Sequence, residues 1–225
     1  MTYKAFIMIA ALAMTAPSLD ATEADPAVIT MDESLWVAFY DVPSRRFRDI
    51  RAAFVRRELD QTSNDLATSA VYLTIEANRA LPAIAERLND VANRMTWISE
   101  HIDDADVTTA DLDSLFGRSH WLLAQHFLDM ARRSRDSGQN RNAGLYLWAT
   151  THHLERAVLW SNSRITLDVQ MTLENLRDLA DQLQDEKRAA AASRDKPLVR
   201  ADKLLRKLGK TIDRPIVLPA SKPGA

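Results

Sequence analysis

One apolar series constrains the fold of this chain more than any other feature. From Leu66 to Ile102, apolar residues recur in ten steps over 36 residues, a mean step of 3.6. This is the period of an α-helix, whereas strand side chains alternate with period two. Two further series with helical spacing run from Leu112 to Met130 and from Ile165 to Leu183. The sequence therefore predicts an all-α protein whose long amphipathic helices bury a shared apolar seam.

A proline lies inside the longest series. Pro82 lacks a backbone N–H and its ring clashes with the preceding turn, which costs about 3 kcal/mol in a helix interior. The apolar stripe nevertheless continues through Pro82 in phase. Two arrangements satisfy both observations: one kinked helix over residues 63–102, or two helices that abut at Leu81.

Short polar connections separate the predicted helices, which favours antiparallel neighbours in a bundle. A short polar loop followed by an aliphatic–Tyr–Leu step occurs twice, at Val71–Leu73 and at Leu145–Leu147. This similarity indicates either an internal repeat or chance resemblance between amphipathic helices. We expect an antiparallel helical bundle over residues 44–186, built from two αα-hairpins with long second arms, plus a short C-terminal amphipathic helix.

The first residues have the composition of a secretory signal peptide. A basic start that includes Lys4 precedes the apolar run Ala5–Ala13, and small residues follow up to Ala24. This order predicts cleavage after Ala21 or Ala24, and a periplasmic or secreted protein. The alternative is a cytosolic protein with an apolar first helix. We divide the chain into a signal peptide (1–24), an N-terminal extension (25–43), the bundle (44–186) and a basic C-terminal helix with a proline-containing tail (187–225).

Charge is unevenly distributed along the chain. Residues 187–225 carry eleven Lys or Arg and three Asp, a net charge of +8, and the remainder carries −10. Within this basic segment, Leu198, Ala201, Leu205, Leu208 and Ile212 recur at helical spacing. The resulting basic amphipathic helix can dock on the acidic bundle or contact an anionic surface. We favour docking, because the two parts have opposite charge.

Catalytic motifs are missing from the sequence. The chain has no cysteine, no Gly-x-Ser-x-Gly motif, and only five scattered glycines, too few for a phosphate-binding loop. No Glu is followed three residues later by His, the pattern of di-iron carboxylate bundles. We therefore expect a protein without catalytic activity.

Histidines offer one possible cofactor site. His120 and His126 are about 120° apart on a helix, and the adjacent His152 and His153 about 100°. Only one of each pair can then face a shared core, and the apolar spacing selects His126 and His152 as an inward pair. Such imidazoles facing each other in a bundle can bind a metal or haem. The alternative is two half-buried histidines bonded to backbone or carboxylate groups.

Aromatic residues suggest a second possible site. Trp121, Trp148, Tyr72 and Tyr146 fall on the predicted helices, where they can line a groove between hairpins for a peptide or a small apolar ligand. Packing in the core explains the same residues.

Two segments resemble one known family. The segments from Ile50 to Ala70 and from Leu173 to Ala180 are similar to YfdX-like exported helical proteins of bacteria. The resemblance implies an exported α-helical protein with stress-linked periplasmic roles, and it carries over no functional residues. Our hypothesis is an exported helical-bundle binding or stress-protective protein with a protein or peptide partner or as a homo-oligomer, and with no nucleic-acid partner. The alternative is a metal- or haem-binding bundle.

Overall fold

The computed structural model describes residues 6–7, 29–30, 36–37, 39–103, 106–161, 164–185 and 196–213. Two strands of two residues, β1 (Phe6–Ile7) and β2 (Ile29–Thr30), pair antiparallel. The rest of the regular structure in these ranges is helical, and the prediction of an all-α bundle is confirmed. Both predicted cleavage sites lie outside the described residues. The helices are α1 (Val42–Val55), α2 (Leu59–Arg79), α3 (Pro82–His101), α4 (Thr109–Asp136), α5 (Asn140–Trp160), α6 (Leu167–Gln184) and α7 (Lys196–Ile212).

Helix α4 is the centre of the bundle. It packs against α1, α3, α5 and α7. All ten residues from Leu115 to Ala124 are buried, including the polar residues Arg118, Ser119 and His120. A helix buried around its whole circumference has no single inward face. This property of α4 decides which polar side chains meet in the core.

Consecutive helices pack as antiparallel hairpins. In the α2–α3 pair, the Ser63 hydroxyl donates to the Ser99 carbonyl oxygen at 2.7 Å. In the α4–α5 pair, the Phe127 and Tyr146 rings stack with centroids 6.1 Å apart. Helices α5 and α6 pack together in turn. The arms differ from those we expected, because α2 is longer than α1 but α5, with 21 residues, is shorter than the 28-residue α4.

Pro82 ends one helix and begins another. Ala80 and Leu81 are extended, with ψ of 164° and 148°, and Pro82 occupies the first turn of α3, where its missing N–H costs nothing. The two helices therefore abut at Leu81, the second of the predicted alternatives. The chain also reverses there, so that α3 packs along α2 instead of continuing its line. The regular spacing of apolar residues gives no sign of this reversal, because α2 and α3 each bury an apolar stripe with the same helical spacing.

Local side-chain and backbone features fix the ends of the helices. Thr108 and Asp111 form a capping box at the start of α4. Gly138, with φ of +74°, closes α4 in the left-handed region that glycine adopts without strain. Ser44 lies inside the first turn of α1, because the helix begins at Val42.

Helix α7 docks on α4 and α6 through its apolar stripe. Leu198, Ala201, Leu204, Leu205 and Leu208 are all buried. The charges act opposite to our expectation: the ion pairs join arginines of the bundle to acidic residues of the C-terminal segment, one within α7 and one directly after it. They join Asp202 to Arg132, and Asp213 to Arg87 and Arg118. None of the described helices is long and apolar enough to cross a bilayer.

The contact between α5 and α6 depends on Gly144. A Cβ at this position would lie 2.7 Å from the Ala180 carbonyl oxygen and 2.7 Å from Gln184 Cγ. We expect Gly144→Ala to lower the free energy of unfolding by about 1–2 kcal/mol, because overpacking against backbone outweighs the better helix propensity of alanine. Urea denaturation measures the change. Gly117→Ala is the matched control, since its Cβ would meet the nearest atom at 3.4 Å. A Gly144→Ala protein as stable as the Gly117→Ala protein would contradict the prediction.

Candidate functional site

Buried polar side chains from α2, α4 and α5 meet in the core. Glu76, His120, His126 and His153 all have no exposed surface. Charged and imidazole groups are seldom fully buried, because leaving water is costly unless they are hydrogen-bonded. We call these four residues, together with the half-buried His152, the buried polar cluster.

Glu76 is held by three donors. Its Oε1 accepts from Trp36 Nε1–H at 2.7 Å. Its Oε2 accepts from Arg79 Nη1 at 2.7 Å and lies 3.0 Å from His126 Nε2. Because an ionised carboxylate only accepts, His126 Nε2 carries the hydrogen. Glu76 therefore ties α2 to α4 and to the chain before α1.

These contacts keep Glu76 ionised despite its burial. Burial alone raises the pKa of the Glu76 carboxyl. The hydrogen bond from His126, the charge of Arg79 and the bond from Trp36 outweigh that effect, and the pKa of Glu76 lies below its usual value. Glu76 and Arg79 form a charged pair inside the bundle, with His126 beside it.

The chain before α1 covers the cluster. We call Trp36, Val37 and Phe39–Asp41 the N-terminal strap. The Trp36 ring stacks on Tyr72 with centroids 6.2 Å apart, and the Arg79 guanidinium lies 5.6 Å above the same indole. At the other end of the strap, Tyr40 packs edge-on against His152, with ring centroids 5.1 Å apart.

His120 and His153 form the second part of the cluster. Their Nδ1 atoms are 2.8 Å apart, so one ring donates and the other accepts. Neither Nε2 atom has a hydrogen-bond partner among the described residues. Phe47 packs edge-on against His120, and Phe127 stacks on His153. The two imidazoles are thus enclosed by aromatic rings, with one polar atom of each left unsatisfied.

Their environment favours neutral imidazoles. Burial holds the pKa of both His120 and His153 well below the usual value, and neighbouring positive groups lower the pKa further. His152 Nε2 lies 2.6 Å from the Ser44 hydroxyl. Burial, and next the charge of Arg156, lower the pKa of His152 to about 4. A serine hydroxyl beside an imidazole also occurs in the active sites of hydrolases. Here Ser44 is only 4% exposed, so its hydroxyl is shielded from solvent.

The structure places the two predicted metal ligands apart. His126 bonds to Glu76 and His152 to Ser44, whereas the histidines in mutual contact are His120 and His153. The choice of one inward histidine per helix was wrong, because α4 is buried on all sides and α5 packs against both α4 and α6. No group of three or more His, Cys, Asp or Glu among the described residues could hold a metal ion. Metal or haem binding by His126 and His152 stays a prediction from the sequence.

The four aromatic residues predicted to line a groove face different neighbours. Trp121 donates to the Leu205 carbonyl oxygen of α7 at 2.9 Å, and Trp148 lies 3.2 Å from Asp181 of α6. Tyr72 stacks on the strap, and Tyr146 is fully buried beside Phe127. Each ring therefore packs one helix or segment against another, as the core-packing alternative proposed.

Several residues of the cluster escaped the sequence analysis although signals for them existed. Glu76 lies three residues after Leu73 and directly before Ala77, on the buried face of α2. A carboxylate in an apolar stripe indicates a buried polar partner. His153 lies in phase with the buried Ala149 and Ala157 of α5. The contribution of Trp36 had no comparable signal, since it precedes the periodic part of the chain.

The comparisons with known proteins give no indication of the function of this chain. No protein-family model matches this chain, and neither curated proteins nor solved structures give a match. The similarity to YfdX-like proteins therefore stays a prediction. Any functional assignment has to rest on the cluster, the strap and the exposed surface of the helices.

Proposed function

We propose that this protein is an exported helical-bundle binding protein that acts without catalysis and attaches to an anionic phospholipid surface through helix α7. The observation that carries the proposal is the outer face of α7. Lys196, Arg200, Lys203, Arg206, Lys207 and Lys210 are all exposed there. At 100° per residue these side chains fall within about one third of the helix circumference.

The docking mode of α7 directs this face outward. Its leucines are buried on the opposite side of the helix, and Asp202 and the adjoining Asp213 form the ion pairs to the bundle. The basic side chains are therefore not needed to neutralise the acidic body. They form a stripe about 21 Å long at 1.5 Å per residue, parallel to the surface of the protein.

The expected attraction is large enough to support attachment. Each Lys or Arg close to an anionic leaflet contributes about 1 kcal/mol, so six residues acting together contribute about 6 kcal/mol before entropic costs. Stress protection at the envelope is compatible with such attachment. A protein or peptide partner would then bind elsewhere on the bundle.

The interior supports a role without catalysis. Glu76 and His126 bond to each other, and Glu76 also accepts from Trp36 and Arg79. Both side chains have no exposed surface. A general acid or base must reach a proton of the substrate, directly or through one water. With Trp36 in place these two groups are enclosed, and they stabilise the fold and hold the strap.

Vesicle flotation tests the proposal. We expect the wild-type protein to float with vesicles of about 30% phosphatidylglycerol in phosphatidylcholine. With vesicles of pure phosphatidylcholine it should remain in the unbound fraction. The triple variant K203E/K207E/K210E should bind the anionic vesicles at least about 100-fold more weakly, since three attractive charges of about 1 kcal/mol each become repulsive. Binding should also weaken as salt is raised, because exposed charges are screened.

The control reverses the same number of charges elsewhere. Arg48, Arg141 and Arg164 are exposed on other parts of the protein. The variant R48E/R141E/R164E has the same net charge as the α7 variant and should keep most of the binding. Equal losses in the two variants would show that net charge and not the α7 face determines binding, and the proposal would fail.

A further inference from the structure

Three side chains of α2 contact the Trp36 indole, each in a different way, and form a receptacle for it. The Tyr72 ring lies parallel to the indole, with an angle of 12° between the planes. The Arg79 guanidinium lies above the Trp36 ring, where a cation is attracted to the π face. Glu76 Oε1 accepts the indole N–H at 2.7 Å. Stacking, charge and hydrogen bonding thus recognise three different properties of the same group.

The receptacle does not depend on the strap for its own construction. Tyr72, Glu76 and Arg79 follow each other on one face of α2 at spacings of four and three residues. Arg79 and His126 both contact Oε2 of Glu76, and Trp36 contacts Oε1. Without Trp36, the carboxylate would keep its bonds to Arg79 and His126. Oε1 would then face the space left by the indole.

The receptacle is also close to solvent. Trp36, Tyr72 and Arg79 each keep some exposed surface, which for the Arg79 side chain is 10%, whereas Glu76 behind them is fully buried. A small aromatic molecule can therefore reach the same position once the strap moves away. Trp36 lies in a segment before α1, so its displacement does not require α2, which carries the receptacle, to unwind.

We propose that Tyr72, Glu76 and Arg79 form a binding site for planar aromatic ligands that carry a ring N–H, and that Trp36 is its displaceable intramolecular occupant. The ligand class follows from the contacts: a flat ring for Tyr72 and Arg79, and a donor at the ring edge for the Glu76 carboxylate. The free site and the strap-bound site are two states, and the ligand competes with the strap for the same surface. This inference is independent of membrane attachment by α7.

Indole binding to the full-length Trp36→Ala protein tests the site. We expect isothermal titration calorimetry to give a Kd for indole below about 1 mM, and a rise in melting temperature on adding indole. The wild-type protein should bind at least tenfold more weakly, because Trp36 competes at high effective concentration. 1-Methylindole, which lacks the N–H, should bind Trp36→Ala at least about tenfold more weakly than indole, because a hydrogen bond to a charged group is lost.

Trp97→Ala is the matched control variant. Trp97 is also half-buried and stacks on an imidazole, that of His101, at 4.7 Å. Its removal should create no comparable site, and indole should not stabilise that protein. Two results would overturn the proposal. One is equal affinity of the Trp36→Ala protein for indole and 1-methylindole, and the other is equal stabilisation of the Trp36→Ala and Trp97→Ala proteins by indole. If the Trp36→Ala protein loses structure, indole should restore its helical circular dichroism signal and 1-methylindole should not. Failure of indole to restore the signal would count against the site.

Discussion

Replacing Glu76 by alanine is expected to destabilise this protein by about 3–5 kcal/mol, the cost of breaking a buried ion pair by removing one member. The substitution takes away the acceptor of Trp36, Arg79 and His126 at once. The Arg79 side chain is only 10% exposed, so its charge would remain near the core without a counter-ion. Since domains of this size are stable by about 5–15 kcal/mol, the loss removes a large share of the total.

Urea denaturation at pH 7 measures this loss as a lower unfolding midpoint at similar slope. Glu100→Ala is the matched control, because Glu100 lies on α3 and is exposed, and it should change stability by no more than about 0.5 kcal/mol. Glu76→Gln keeps an acceptor for Trp36 but not the charge, and should fall between the two. A Glu76→Ala protein within about 1 kcal/mol of wild type would show that the buried charge is not compensated as we describe.

The sequence predicted the class of fold because helical periodicity reports burial directly. Leu88, Val91, Met95 and Ile98 belong to the predicted series, and all four are buried on α3. The reversal at Pro82 could not be read in the same way. A periodic stripe states which side chains avoid water, and it leaves open which other helix covers them. Only the extended backbone at Ala80 and Leu81 turns α3 back along α2.

The site was harder to predict because its members are distant in sequence. Trp36, Glu76 and His126 meet across 40 and 50 residues. Helical phase identified His126 as inward, but it could not show that α4 is enclosed on all sides. His120 is for that reason buried together with His126, although the two lie about 120° apart around the helix axis.

The charge of the C-terminal segment shows the same limit. Net charges of +8 and −10 correctly suggested that α7 and the bundle associate. The contacts that do so are apolar or use Asp202 of α7 and Asp213 directly after it, because lysine and arginine side chains on the far face remain hydrated. The two net charges therefore predicted that α7 docks on the bundle, but the contacts that hold α7 there are not attractions between its basic residues and the acidic bundle.

Acidification is expected to destabilise the protein steeply below pH 6.5, through the buried histidines. The pKa values of His120 and His153 are held well below the usual value by burial, so the unfolded chain binds protons that the folded chain does not. Stability is then complete above the unfolded pKa of about 6.5 and decreases as the pH falls toward the folded pKa. Well below pH 6.5, where the unfolded histidines are protonated, each fully buried histidine contributes about 1.4 kcal/mol per pH unit and the pair about 2.7 kcal/mol per pH unit.

Neighbouring groups act in the same direction. The charges of His152 and Arg156 lower the pKa of His120, and His120, His152 and His126 lower that of His153. His152, with a pKa of about 4, adds a smaller contribution because it is partly exposed to solvent. Glu76 adds its own loss only at lower pH, since its stabilisation disappears as the pH falls through its lowered folded pKa.

The double variant H120L/H153L isolates this effect. It removes both titrating rings and both unsatisfied Nε2 atoms, and leucine fills a similar volume. Replacing both members of a buried polar pair by apolar groups is often neutral or stabilising, so the variant should be about as stable as wild type at pH 7. Between pH 7 and pH 5, its unfolding free energy measured in urea should fall by about 4 kcal/mol less than that of wild type, because two buried histidines with an unfolded pKa of about 6.5 reach their full slope only below that pH.

A core substitution that removes no histidine serves as the control. Leu123→Val lies one helical turn from His120 on α4 and should cost about 1 kcal/mol at every pH, which shifts the curve down in parallel. Wild type and H120L/H153L with parallel curves would mean that the two imidazoles bind protons equally in the folded and the unfolded chain, which would contradict the prediction. The contact of 2.8 Å between their Nδ1 atoms argues against such protonation of the folded chain, because two imidazolium rings would direct two N–H groups at each other.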